Sequence, residues 1–111
     1  MEYYPVCKFS EVGFGEAKGV VVEGHPIAIF NIGGKLYAIE NSCPHMASSL
    51  DDGVVEGKGV ICRLHFWKIN VTTGQSEEPA GYCVPTYPVK IERGMIKVGY
   101  EPPQQAPLDE V

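Results

Sequence analysis

Two short pairs of cysteine and histidine hold the metal-binding chemistry of this sequence. Cys43 and His45 are separated by one residue, Cys62 and His65 by two, and sixteen residues lie between His45 and Cys62. Each pair places a soft thiolate beside an imidazole on a short segment, and both are ligands that iron and zinc accept. The chain has three histidines, and two of them fall in these matched positions. The spacing therefore predicts one metal site with four protein ligands.

Two kinds of metal centre fit a set of two cysteines and two histidines. Tetrahedral zinc binds such a set, which would make the chain a zinc-stabilised interaction domain. Zinc fingers, however, usually pair cysteine with cysteine and histidine with histidine, at other spacings. The alternating order found here differs from that usual pairing.

The order Cys-x-His, a spacer of this length and Cys-x-x-His resembles the Rieske family. The resemblance covers the two pairs and the strand pattern on both sides, hence nearly the whole chain except its last residues. It implies one 2Fe–2S cluster as cofactor, with Cys43 and Cys62 on the inner iron and His45 and His65 on the outer iron. It also implies that both imidazoles ligate through Nδ1 and present Nε2 at the protein edge.

The ligand loops lack features that high-potential members of that family carry. Those members have an extra cysteine in each loop, joined as a disulfide, and a serine near the sulfurs. Here Phe66 and Trp67 stand in the place of the serine, so fewer hydrogen bonds and a comparatively low reduction potential are expected. Trp67 is expected to pack beside the site and shield it from water. Cys7 and Cys83 match no ligand position and are expected to be free thiols.

A finer resemblance is to the ferredoxin component of aromatic-hydrocarbon monooxygenases such as the toluene monooxygenases. It is carried by His65-Phe66-Trp67 and by Glu78-Pro79-Ala80-Gly81-Tyr82-Cys83. It implies a monomeric electron carrier, not an enzyme, which takes single electrons from a flavoprotein reductase and passes them to an oxygenase in transient complexes. The small subunit of assimilatory nitrite reductase has the same fold and is the alternative within the family.

The histidine count argues against an oxygenase catalytic subunit. Such subunits need a second site, a facial triad of two histidines and a carboxylate on iron. Once the cluster takes His45 and His65, only His25 remains, and we expect it to be a solvated histidine in a turn before Pro26.

Length and charge limit the classes of partner. The chain has 111 residues, enough for one domain, and a net charge of −5 with a pI near 5.1. An acidic protein is repelled by nucleic acid and by anionic membrane surfaces, so neither is expected as a partner. We expect instead that reductase and oxygenase present basic patches to the end that bears His45 and His65. The sequence shows no export signal and no long apolar run, which predicts a cytoplasmic location.

The strand pattern predicts an all-β fold, a Rieske-like antiparallel β sandwich or partial barrel. Residues 26–32 are apolar on both alternating faces and should form a strand buried on two sides. Gly33-Gly34 is a hairpin turn into residues 35–40. A second hairpin is predicted from Tyr87 to Tyr100, turning at Arg93-Gly94.

Residues 1–100 are predicted to form a single domain with an insertion. Residues 41–84 have little extended periodicity and are interpreted as a loop-rich cluster-binding subdomain inserted in the β base. Within it, Met46 should pack over the site, and Asp51-Asp52-Gly53 should form a turn. The proline-rich residues 101–111 are expected to be an extended or disordered tail.

Overall fold

The chain folds into three antiparallel β-sheets in the computed structural model, which describes residues 2–43, 49–63, 66–78 and 80–100. In these residues the only helical segment is a 3-10 turn at Phe9–Glu11, and no helix is long and apolar enough to cross a membrane. The prediction of an all-β antiparallel fold is confirmed. The strands are β1 (Glu2–Lys8), β2 (Ala17–Val22), β3 (His25–Ile32), β4 (Lys35–Glu40), β5 (Val54–Glu56), β6 (Gly59–Ile61), β7 (Lys68–Asn70), β8 (Gln75–Glu78), β9 (Ala80–Cys83), β10 (Thr86–Tyr87), β11 (Val89–Glu92) and β12 (Met95–Tyr100).

The central sheet has the order β10-β4-β3-β2, and its hairpins follow the predicted turns. Ile32 pairs with Lys35, so Gly33-Gly34 is the two-residue connection between β3 and β4. Both glycines have positive φ, 64° and 95°, which the type I′ hairpin turn requires and side chains oppose. The turn therefore fixes the register that carries β4 toward the first Cys–His pair.

Strand β3 separates two hydrophobic cores, as its mostly apolar sequence predicted. Ala28 and Phe30 face one core and Ile27 and Ile29 face the other, and all four side chains have no exposed surface. Successive side chains of a strand point to opposite faces, so a strand buried on both sides is mostly apolar. Asn31, a buried polar residue of this strand, donates a hydrogen bond to the Val12 carbonyl.

The sheet β1-β12-β11 packs on the Ile27 side of the central sheet. Its hairpin joins Glu92 to Met95 through Arg93-Gly94, as predicted. Ile96 and Val98 on β12 supply fully buried side chains to this second core. The sheet closes the side of the molecule that faces away from the Cys–His pairs.

The sheet β5-β6-β7-β8-β9 lies on the other side and is inserted between β4 and β10 of the central sheet. Its strands are only three or four residues long. Strands this short leave no readable two-residue period, so the sequence suggested loops where the chain forms five strands. Residues 101–111, the expected tail, lie outside the described residues.

Candidate metal centre

The structure places the two predicted cysteine ligands in one buried core. Cys43 lies just after β4, and Cys62 directly follows β6. Their side chains are 3% and 1% exposed, and both belong to the core that contains Phe30 and Leu50. Two elements from different sheets thus bring both thiols to the same apolar region, although they are 19 residues apart in the chain.

The two predicted histidine ligands lie outside the described residues, as does Met46. In the ranges that the structure describes, no three histidine, cysteine or acidic side chains form a metal-binding group. Only two of the four predicted ligands fall in those ranges, so the ligand set stays a prediction at this point.

Asn41 holds the segment that carries the first pair. Its Oδ1 accepts hydrogen bonds from the backbone N–H of Leu50 at 2.6 Å and of Asp51 at 2.9 Å. Its own N–H donates to the Pro26 carbonyl on β3 at 3.2 Å. One side chain therefore joins the two ends of the segment containing Cys43. Sequence reasoning missed this role, and the only available signal was an asparagine directly after a strand.

The predicted turn at Asp51-Asp52-Gly53 is present and connects the two ligand segments. A Cβ added to Gly53 would lie 2.6 Å from the Ile61 carbonyl oxygen, a distance that only glycine avoids. Arg63, inside the second ligand segment, donates a hydrogen bond from Nε to the Asp52 carbonyl. The turn after the first pair thus packs directly against the second.

Two backbone hydrogen bonds close the segment that carries the second pair. The Phe66 N–H donates to the Cys62 carbonyl at 2.9 Å, and the Cys62 N–H donates to the Trp67 carbonyl at 2.8 Å. Phe66 has a φ of 61°, in the left-handed region that bulky side chains rarely adopt. These bonds fix the backbone of Phe66 and Trp67 against Cys62.

Trp67 packs against the core of Cys43 and Cys62, in agreement with its predicted packing role. Its ring centroid lies 4.8 Å from that of Tyr82 on β9. Shielding of a cluster by this indole stays a prediction.

Lys68 on β7 lies between two carboxylates. Its Nζ is 3.4 Å from a Glu56 oxygen and 3.7 Å from a Glu77 oxygen. Glu77 and Glu78 are exposed, as expected from the sequence.

His25 is not the solvated turn residue that we expected. The β2–β3 turn is Glu23-Gly24, and His25 is already paired with Val22 as the first residue of β3. Its Nε2 lies 2.7 Å from Glu40 Oε1, and its ring stacks on Tyr100 at 5.5 Å between centroids. The prediction was wrong because a two-residue hairpin turn ends one position earlier than the sequence suggested.

Tyr87 completes this group of side chains. Its hydroxyl donates to Glu40 Oε1 at 3.3 Å, and its ring lies 6.0 Å from that of His25. Burial, together with the nearby Glu40 carboxylate, raises the pKa of Tyr87 to about 12. The hydroxyl therefore stays protonated through the physiological range.

The remaining cysteines are free thiols, as predicted. Cys7 is buried in the second core, and burial raises the pKa of its thiol. Cys83 is exposed on β9. They belong to different sheets and do not form a disulfide.

A sequence profile of the Rieske [2Fe-2S] domain matches residues 2–88 of this chain. The ferredoxin component of an alkene monooxygenase system from Xanthobacter autotrophicus is 34% identical over 103 residues, which cover 92% of this chain and 84% of that protein. The ferredoxin component of a naphthalene 1,2-dioxygenase system from Pseudomonas putida is 38% identical over 99 residues, covering 88% and 95%. The chain therefore belongs to the Rieske [2Fe-2S] family.

Solved structures agree with this assignment. The ferredoxin of carbazole 1,9a-dioxygenase from Nocardioides aromaticivorans superimposes with a TM-score of 0.84 at 26% identity, covering 91% of this chain and all of that one. A nitrite reductase small subunit from Mycobacterium tuberculosis, at 21% identity and a TM-score of 0.81, shares the fold. A terminal oxygenase from Novosphingobium, at 23% identity, also shares it, but the match covers only 31% of that chain.

These findings confirm three predictions from the sequence. The protein is a Rieske-type ferredoxin, its cofactor is one 2Fe–2S cluster, and it is an electron carrier instead of a catalytic component. The buried thiols of Cys43 and Cys62 fit that cofactor, because a Rieske centre needs two thiolates on its inner iron.

Proposed function

We propose that this ferredoxin carries single electrons from a flavoprotein reductase to the oxygenase of a hydrocarbon-oxidising system. The observation that carries the proposal is the match to oxygenase-system ferredoxins over most of both chains, including 92% of this one. Match length matters here because the oxygenases that share the fold are about three times longer. The matches to the ferredoxin components instead cover 84% and 95% of those proteins.

The proposed ligands are Cys43 and Cys62 on the inner iron and His45 and His65 on the outer iron. Burial of both cysteines in one core supports the first half of this assignment. The family pattern supports the second half. The cluster supplies one-electron chemistry, and histidine in place of two thiolates makes the centre less negative and raises its potential relative to all-cysteine ferredoxins.

The described contacts of both ligand segments support this assignment. Asn41 ties the two ends of the first segment, and the turn of Phe66 on Cys62 closes the second. Arg63, in the second ligand segment, donates a hydrogen bond to the Asp52 carbonyl in the turn that follows the first segment. A redox centre needs such fixed surroundings, because outer contacts orient ligands and tune the metal.

The complexes with reductase and oxygenase are proposed to be weak and short-lived, and the ferredoxin to act as a monomer in the cytoplasm. A carrier that meets two proteins in turn needs small interfaces and rapid release. The free thiols of Cys7 and Cys83 fit a reducing compartment.

Reconstitution tests the proposed function directly. Purified reductase and oxygenase encoded beside this ferredoxin should turn over hydrocarbon with electrons from the reductase only when the ferredoxin is added. Product formation should saturate with ferredoxin concentration. Equal turnover with and without it would refute the proposal.

Electron paramagnetic resonance of the reduced protein tests the ligands. Mixed cysteine and histidine ligation predicts a low average g value, distinct from that of all-cysteine clusters, with about two irons and two labile sulfides per chain. A colourless protein containing zinc would instead identify the zinc-stabilised interaction domain.

A further inference from the structure

We propose that the side chain of Phe66 is the apolar anchor by which this ferredoxin docks on its oxygenase. The inference rests on the proposed function and adds a residue that contacts the oxygenase. Its starting point is a large apolar side chain that the fold leaves outside both cores.

Phe66 is 74% exposed, although the backbone at that position is unfavourable for any residue with a Cβ. Glycine would adopt its φ of 61° without strain, and a polar residue would avoid the exposed ring. Neither the turn nor the packing of the domain therefore requires phenylalanine. A residue that costs free energy both in its backbone and in its exposure suggests a use outside the folded domain.

The place of Phe66 in the chain puts it beside a proposed ligand. It directly follows His65, which is proposed to bind the outer iron at the protein edge. An acceptor that approaches that histidine comes within reach of the exposed Phe66 ring. The two hydrogen bonds that close the turn on Cys62 hold the Phe66 backbone in position before the partner arrives.

The surface next to Phe66 is aromatic. Trp67 follows in the chain, and its ring contacts Tyr82, which is 51% exposed. Lys68, the next residue, lies against two carboxylates, whereas Arg63 donates to the Asp52 carbonyl and keeps its positive charge. Exposed aromatic side chains are the usual anchors of protein interfaces.

The occupant is the oxygenase. A ferredoxin that is 28% identical and covers 93% of this chain, with a TM-score of 0.83, has been solved in complex with the oxygenase of carbazole 1,9a-dioxygenase. The fold thus forms an ordered complex with a protein of that class. We infer an apolar recess on the oxygenase, beside its electron-accepting site, that receives the Phe66 ring.

Phe66→Gly is the sharpest variant, because it removes the ring and relieves the backbone at the same time. Phe66→Ala removes the ring and keeps the Cβ. The matched control is Phe14→Ala, because Phe14 is 77% exposed and lies against Gly34. The six residues of β4, about 20 Å of extended chain, separate that turn from the first ligand segment.

The measurement is the ferredoxin concentration that gives half-maximal oxygenase turnover, with the rate of ferredoxin reduction by the reductase measured separately. Both Phe66 variants should raise the half-saturating concentration at least about tenfold, the loss typical of an aromatic anchor. Every value for Phe14→Ala should change less than about twofold. Absorbance and electron paramagnetic resonance should show an unchanged cluster.

Two results would overturn the inference. A half-saturating concentration of Phe66→Gly equal to that of the wild type would show that the ring does not contribute to docking. An equal loss in Phe14→Ala would show a general effect of surface apolarity.

A measurement on the wild-type protein covers the case in which both Phe66 variants lose the cluster. Hydrogen exchange of the ferredoxin, alone and with the oxygenase, should show protection at residues 66–67 and none at Phe14. Absence of protection at residues 66–67 would overturn the inference. Failure of the wild-type ferredoxin to support turnover would instead refute the proposed function, before any variant is compared.

Discussion

The roles assigned to the histidines predict different effects of substitution. His65 belongs to the second Cys–His pair and is a proposed ligand, whereas His25 bonds to Glu40 and stacks on Tyr100. His65→Ala should therefore lose or destabilise the cluster. His25→Ala is the matched control and should keep it, with a modest loss of stability from the Glu40 contact.

Visible absorbance, iron content and electron paramagnetic resonance of the purified variants check this prediction. Cys83→Ser should also retain the cluster, because that exposed thiol lies outside the core of Cys43 and Cys62. Loss of the cluster in His25→Ala or Cys83→Ser alone would contradict the proposed ligand set.

Tyr87 predicts how stability depends on alkaline pH. The pKa of its hydroxyl is about 12 in the folded protein against an ordinary 10, with burial as the larger cause and Glu40 as the second. The native state then binds the proton more tightly than the unfolded state. Its contribution is fully present below pH 10 and is lost as pH rises toward 12.

Thermal unfolding followed by circular dichroism across this range measures the effect. Tyr87→Phe removes the titrating group, so its melting temperature should fall less steeply with pH than that of the wild type. At neutral pH the variant should lose about 1 kcal/mol or less, the value of one partly exposed hydrogen bond. Identical alkaline slopes would show that Tyr87 does not titrate in this way.

At the scale of elements, Asn41 connects the central sheet to the first ligand segment. Asn41→Ala removes the acceptor for the Leu50 and Asp51 N–H groups. The free energy of unfolding should fall by about 1 to 3 kcal/mol. An iron chelator should also remove the cluster faster. Asn41→Asp keeps an acceptor oxygen and should be milder.

Asn70→Ala is the matched control for this prediction. Asn70 Oδ1 also accepts two hydrogen bonds, from the N–H and the hydroxyl of Thr72, at the turn after β7. Its loss should destabilise the protein without a comparable effect on cluster release, because that turn carries no proposed ligand. Equally fast bleaching in both variants would mean that Asn41 acts only through general stability.

At the scale of the whole molecule, the net charge is unevenly distributed along the chain. Residues 101–111 contain Glu101, Asp109 and Glu110 and no lysine or arginine. They thus account for three of the five net negative charges. Residues 1–100 contribute the other two and are therefore closer to neutral than the total suggests.

This distribution predicts the origin of the salt dependence of electron transfer. The screening length falls from about 8 Å at 0.15 M to about 3 Å at 1 M ionic strength, so long-range attraction to basic partners should weaken over that range. Stopped-flow reduction of the oxygenase should slow as salt rises, because steering acts mainly on association. The triple variant Glu101→Gln, Asp109→Asn, Glu110→Gln should show a shallower salt dependence.

The same experiment separates long-range steering from close contact. Phe66→Gly should weaken docking at all salt concentrations and leave the salt slope unchanged, because removal of the ring changes no charge. Wild-type rates that do not vary with salt would mean that the acidic residues serve solubility and that apolar contact alone drives docking.

The sequence by itself determined the ligand candidates, the family and the longer hairpins. Metal-binding side chains at fixed spacing and the Gly33-Gly34 turn are local features, so they can be read without knowing what packs on them. The apolar residues on both faces of β3 likewise predicted that the strand is buried on two sides. The short strands β5 to β9 could not be predicted, because three or four residues are too few to show the two-residue alternation of a strand.

Only the tertiary structure decided which distant groups meet. The contacts of Asn41 with Leu50, of Arg63 with Asp52 and of His25 with Glu40 join residues between 9 and 15 positions apart. The exposure of Phe66 could not be predicted either. Phenylalanine is usually buried, and only the tertiary structure shows that this side chain is exposed. Such contacts depend on how the sheets pack and how the turns close, and neither is encoded in the spacing of the residues themselves.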